Sequence, residues 1–140
     1  MSAAPLFTPI PLDRQPFVVV DLETTGGSAT FDRIIEVAAI RVQGGEVQER
    51  FETLVDPCMA LPPFITRLTG ITPLMLRGQP TMDDIIDRLG NFTRGAILVA
   101  HNASFDYGFL TQAFRRADRG WAADTLCTPS TGAQTSSRAA

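Results

Sequence analysis

The stretch FVVVDLETTG, residues 17–26, decides how this chain is read. Its four apolar residues, Phe17 to Val20, have the pattern of a buried strand. Asp21 and Glu23 stand one residue apart at its end. Side chains alternate along a strand, so positions i and i+2 share a side. Two acids held this way repel each other unless a cation lies between them, and hard divalent cations favour such oxygen ligands. After Thr24 and Thr25, Gly26 lets the chain turn away sharply. The plain alternative is a pair of solvated acids at a strand end.

Around this stretch the composition narrows the class. The chain has 140 residues, 44% of them hydrophobic, which suits one domain with its own core. A net charge of −3 speaks against a protein that coats nucleic acid by bulk charge. An acidic protein that acts on phosphates needs metal ions to invert the local field. All 12 basic residues are arginine, which excludes a lysine-bearing phosphate loop and a lysine nucleophile. Cys58 and Cys127 are far apart and read as small buried hydrophobes. No apolar run reaches the ~18 residues of a membrane span, and the N-terminus lacks the pattern of a signal peptide. The expected setting is soluble, reducing and cytoplasmic.

The rest of the chain divides into three parts. Residues 1–16, with four prolines, read as a flexible arm. Residues 17–128 read as one α/β domain. Strands are expected at 17–23, 33–43 and 46–55, and the Gly44–Gly45 pair makes a hairpin turn between the second and third. A short helix over 61–70 stops at Gly70. A second helix begins at Thr81, with Asp84 completing a capping box, and Met82, Ile85, Ile86, Leu89 and Phe92 form its core-facing stripe. Residues 96–100 are a short buried strand. A helix over 103–119 turns Phe105, Phe109, Leu110, Ala113 and Phe114 inward. Arg115, Arg116 and Arg119 suit its C-terminal dipole, with contact to DNA as the alternative. A fifth strand starts at 124–128, and residues 129–140 read as a disordered tail.

The second informative motif is HNASFD, residues 101–106. Asn102 or Ser104 can cap the helix that follows. If the 96–100 strand lies beside the first strand, Asp106 comes within reach of Asp21 and Glu23. Three carboxylates then converge, as two-metal phosphoryl chemistry requires. Alone, Asp106 would read as an acid favouring a helix N-terminus.

DLETTG at 21–26, IIEVAAI at 34–40, LTGIT at 68–72 and HNASFD at 101–106 together resemble the DEDD-type 3′–5′ exonucleases. Within that family the likeness is greatest to the epsilon proofreading subunits of bacterial DNA polymerase III. The resemblance covers about residues 17–128. It implies an RNase H-like mixed sheet, three antiparallel strands followed by parallel strands with helices. It implies two ions, Mg²⁺ or Mn²⁺, held by Asp21, Glu23 and Asp106. Thr24 and Thr25 resemble residues lining the 3′-terminal nucleotide, His101 and Asn102 fall at substrate-binding positions, and Glu36 matches a structural one. The implied partners are a nucleic-acid 3′ end, single-stranded DNA above all, and a DNA polymerase catalytic subunit.

One feature of that family is absent. Its general base is a His followed about five residues later by a fourth Asp, on a last helix. The only His is His101, which resembles a structural position. Asp118 and Asp124, the acids beyond Asp106, have no such His before them. No general base is identifiable, and the chain is expected to be truncated before that helix, with an incomplete metal site and weak or no activity. A non-catalytic module that binds nucleic-acid ends or a polymerase is therefore the alternative function. An aspartyl phosphatase is disfavoured by Glu23 and by the absence of lysine.

Overall fold

Hydrophobic alternation along the first 40 residues of the domain builds a sheet whose two faces differ in kind. The computed structural model describes residues 10–128 and 136–138. The elements are β1 (Phe17–Thr24), β2 (Ile34–Gln43), β3 (Glu46–Leu54), α1 (Pro63–Thr69), α2 (Pro73–Leu76), α3 (Met82–Thr93), β4 (Ile97–Ala100), α4 (Ala103–Arg116), β5 (Asp124–Cys127) and β6 (Ser136–Arg138). They form a six-stranded sheet of order β3-β2-β1-β4-β5-β6. β1, β2 and β3 are antiparallel neighbours. β4 runs parallel to β1, and β5 parallel to β4. This is the mixed, RNase H-like arrangement that the motifs implied.

One face carries the main core. Val18, Val20 and Leu22 of β1 pack with Val37 and Ala39 of β2, Leu98 of β4, Ile85, Ile86 and Leu89 of α3, and Phe109, Leu110 and Phe114 of α4. Alternation therefore sends Val19, Asp21 and Glu23 to the opposite face. There a second, smaller cluster forms from Ile35, Ile65, Ile71 and Leu76, so α1 and α2 cover only the end of that face near Ile35.

A β-bulge makes both clusters possible. Glu23 pairs with Glu36 and Thr24 with Ile34, leaving Ile35 as the extra residue. Strict alternation would put Ile34 and Val37 on opposite faces, yet both lie in the main core. The bulge resets the phase, so Ile35 and Glu36 both serve the acid-bearing face.

Local signals account for most element ends. Thr81 and Asp84 form a reciprocal capping box on α3. Gly70 ends α1 at φ 79°. The 61–70 helix is shorter than expected because Pro62 and Pro63 have no N–H to extend it backwards. α2, which has only four residues, was not foreseen. α4 ends three residues before the expected boundary, and Ala117 closes it.

Three other expectations are corrected. Cys58 is exposed, in a left-handed turn at φ 56°, rather than buried. Cys127 is half-buried, and its Sγ accepts the amide of Ala103 at 3.2 Å, supplying the cap that the Asn102 side chain does not make. Ser136–Arg138 is a strand, antiparallel to β5, within the segment expected to lack structure. Three residues of extended chain need only backbone partners, which the free edge of β5 offers regardless of side-chain pattern. The remaining calls on 1–9, 129–135 and 139–140 lie outside the described residues. Among the described residues, no helix is long and apolar enough to cross a membrane.

Candidate active site

The site lies where the sheet changes direction. β1 and β4 are parallel neighbours, while β2 leaves β1 the other way, and crevices at such points accept ligands at the carboxyl ends of strands. In register, Val19 stands beside Val99. β4 thus ends at the level of Val20, and β1 continues past it through Asp21 and Glu23. The chain turns at His101 and Asn102 into α4, and the first turn of that helix brings Asp106 back against the β1 acids.

Electrostatics register that approach. Asp106 is 6% exposed, and its carboxyl has no hydrogen-bond partner among the described residues. Burial first, then Asp21, then Glu23, push its pKa up to about 7. Glu23 is raised too, by burial, by Asp21 and by Glu36. Glu36 faces Glu23 directly across the β1–β2 ladder. Expected to be structural, it adds a fourth negative charge to the group, and sequence spacing could not show the pairing because the bulge sets the register.

The acids are close enough to couple, yet they form no closed cage. Among the described residues, no three His, Cys, Asp or Glu side chains converge tightly enough to grip one ion. Carboxylates held this near without a counter-ion repel one another. The donor set is all oxygen and anionic, which suits a hard divalent cation, and the buried, unpartnered Asp106 is the group such a charge would relieve.

The residues after Glu23 shape a loop. Thr24 Oγ1 donates to the carbonyl of Gly26 at 2.6 Å. Thr25 is 1% exposed; its hydroxyl donates to Asp32 Oδ1 at 3.0 Å and accepts the Arg33 amide at 3.0 Å. Asp32 also accepts the Ser28 amide at 2.9 Å. The loop is wound so tightly round this carboxylate that a Cβ on Gly26 would lie 2.5 Å from Asp32 Oδ2. Thr25 therefore serves the loop's shape. His101 and Asn102 are exposed, and neither side chain has a hydrogen-bond partner among the described residues.

Beside the acids opens a cavity of about 280 Å³, lined by Glu23, Thr24, Gly26, Phe64, Leu68 and Phe105 among others. Phe64 is 52% and Leu68 77% exposed. Sequence reasoning missed these residues. The available signal was that the seven-residue helix α1 carries two apolar faces: Ile65 is buried in the small core, while Phe64 and Leu68 remain outside it.

Comparison with known proteins follows this geometry. The RNase T-type family described as Exonuclease matches residues 18–129, and the chain belongs to that family. It is 49% identical over 111 residues to a PolC-type DNA polymerase III of Halalkalibacterium halodurans, covering 79% of this chain and 8% of the polymerase. It is likewise 49% identical over 107 residues to a PolC-type DNA polymerase III of Oceanobacillus iheyensis, covering 76% of this chain and 8% of the polymerase. The fold is that of E. coli exonuclease I in complex with a 5cy-dA13 oligonucleotide, with TM-score 0.69 and 24% identity over 76% of this chain and 25% of the other. The chain thus spans under a tenth of these polymerases and a quarter of exonuclease I.

Proposed function

We propose that this chain is a metal-dependent 3′–5′ exonuclease domain that removes nucleotides from single-stranded DNA ends, in the service of a DNA polymerase III in the cytoplasm. The observation that carries the reading is Asp106, buried and coupled to Asp21 and Glu23, with Glu23 in turn lining an apolar cavity. The family and the polymerase relatives support it.

Asp21, Glu23 and Asp106 would hold Mg²⁺ or Mn²⁺. Such ions supply charge that offsets the phosphate and favours ionisation of a water. The chain's own residues do the remaining work. Phe64, Leu68 and Phe105 take the terminal base by its faces, which discriminates little among bases. Gly27 keeps the wall by the sugar free of a side chain. Water oxygen attacks the terminal phosphorus, the P–O3′ bond of the preceding nucleotide breaks, and the 3′ oxygen leaves with a proton. His101 is the only imidazole in the chain.

The test is digestion of a 5′-labelled single strand by the full chain. A ladder shortening from the 3′ end, lost on chelation and in Asp21→Ala, supports the reading. Unchanged activity under both treatments sinks it. A second reading, a non-catalytic module for nucleic-acid ends or a polymerase, is favoured by the lack of a closed cage among the described residues. Binding of 3′ ends without cleavage in either metal would select it.

A further inference from the structure

Two arginines on the far side of the loop from the acids share a feature that structural arginines avoid. Arg33 Nη1 and Arg116 Nη2 approach the same acceptor, the carbonyl of Thr30, at 3.4 and 2.8 Å. Arg116 also donates to the Ala29 carbonyl at 2.9 Å, and Arg33 to the Asp32 carbonyl at 3.0 Å. Two guanidiniums are therefore fixed side by side, and neither has an ion pair among the described residues. The contrast is Arg119, which pairs with Asp87 at 3.0 Å. Burial and then Arg33 lower the pKa of Arg116, as two adjacent cations require. If holding the loop were the whole purpose, one guanidinium would suffice, and the second adds repulsion.

We infer that Arg33 and Arg116 form a clamp for a backbone phosphate of the same DNA strand, upstream of its 3′ end. This rests on the exonuclease reading above. Phe31, 78% exposed on the same loop, offers a stacking face beside the clamp. Aromatic and guanidinium groups together are what single strands recognise without regard to sequence. Ten residues of α4 separate Asp106 from Arg116, about 15 Å of helix. That exceeds the ~8 Å Debye length at physiological salt, so the acid group does not cancel the clamp's field. Asp56 and Asp83 line a cavity of about 190 Å³ with the two arginines. With both acids inside that cavity, and Asp56 Oδ1 accepting the Cys58 amide at 2.9 Å, the phosphate would sit on the outer rim by Phe31.

Binding of 3′-ended oligonucleotides of two and six residues to the full chain tests this, with metal chelated and salt varied. Arg33→Gln should weaken the hexamer about 5- to 10-fold, leave the dimer unchanged, and flatten the logarithmic salt slope by about 0.7, one phosphate contact on a single strand. Arg33 is the first choice because its carbonyl contacts are local. Arg116→Gln, checked by its melting profile, should repeat the result. In the wild type one methylphosphonate placed along the hexamer should cost a similar factor at one position only, and Arg33→Gln should abolish that cost. Equal effects on dimer and hexamer, or none, overturn the clamp while the exonuclease reading stands. A wild type that binds neither oligonucleotide overturns the clamp and leaves the metal-dependent exonuclease reading to the digestion assay. An acidic peptide that binds the wild type and is weakened by Arg33→Gln while the hexamer is not would assign the pair to a protein partner and likewise overturn it.

Discussion

The two ends of α4 carry opposite charges, and each is held against its own kind. At the N-terminal end Asp106 meets Asp21 and Glu23; at the C-terminal end Arg116 meets Arg33. The helix dipole favours both placements, so local physics explains why an acid begins this helix and an arginine ends it. It does not explain why like charges are gathered there. Three residues beyond Arg116, Arg119 shows the ordinary solution, an exposed ion pair whose hydrogen bond to Asp87 raises its pKa. Like charges assembled by rigid elements cost stability, and that cost marks places where an opposite charge belongs.

The sharpest way to break this contrast is at the acid end. Asp21→Ala or Asp106→Ala should lower nuclease activity by at least about 10²-fold, the scale of removing one electrostatic contributor from a reacting site. Circular dichroism should show the fold intact, and a loss of activity that merely follows loss of fold would remove Asp106 from the site.

The next effect is on stability. The pKa of Asp106 in the folded chain, about 7, lies above its ordinary 3.8. The folded state therefore keeps a proton that the unfolded state releases. This group's contribution is greatest below pH 3.8 and is lost as pH rises to about 7. A shift this large corresponds to at most roughly 4 kcal/mol. With partial solvation, Asp106→Asn should stabilise the metal-free chain by on the order of 2 kcal/mol at pH 8. Urea melts at pH 5 and pH 8 measure it: the two proteins should differ more at pH 8. Equal differences at both values would mean that the acid is not raised. Mn²⁺ should raise the melting temperature of the wild type by mass action and not that of the variant.

Beside the acid end lies the apolar cavity. Phe64→Ala should raise KM for a 3′ end about 5-fold, the low end of one base–aromatic contact. Its half-exposed side chain predicts little change in melting, and a change confined to kcat would argue against a base contact. A smaller effect belongs to the start of α3: Thr81→Ala should cost that helix about 1 kcal/mol through its capping box. Smallest of all, Arg119→Ala should leave both oligonucleotide affinity and melting within error. Weakening equal to that of Arg33→Gln would erase the distinction between paired and gathered arginines.

Much of this architecture was legible residue by residue. Phe17–Val20 ending in Asp21 and Glu23 specifies a strand with two acids on one side, because strand geometry alone alternates its side chains. Gly44–Gly45 specifies a hairpin, and Thr81 with Asp84 a helix start, because those effects act within four residues. HNASFD placed an acid in the first turn of a helix for the same reason. Other features required partners far away in the chain. That Glu36 faces Glu23 depends on a bulge at Ile35, and that bulge depends on two cores competing for adjacent isoleucines. That Cys127 caps α4, that Phe64 and Leu68 flank the acids, and that Arg33 and Arg116 share the Thr30 carbonyl are all consequences of packing between distant segments. Sequence alone determined which groups could carry charge, turn the chain or fill a core, since those properties belong to single residues and their near neighbours. Only the tertiary structure decided which charges must face one another, since burial and distance in space set the strength of that encounter.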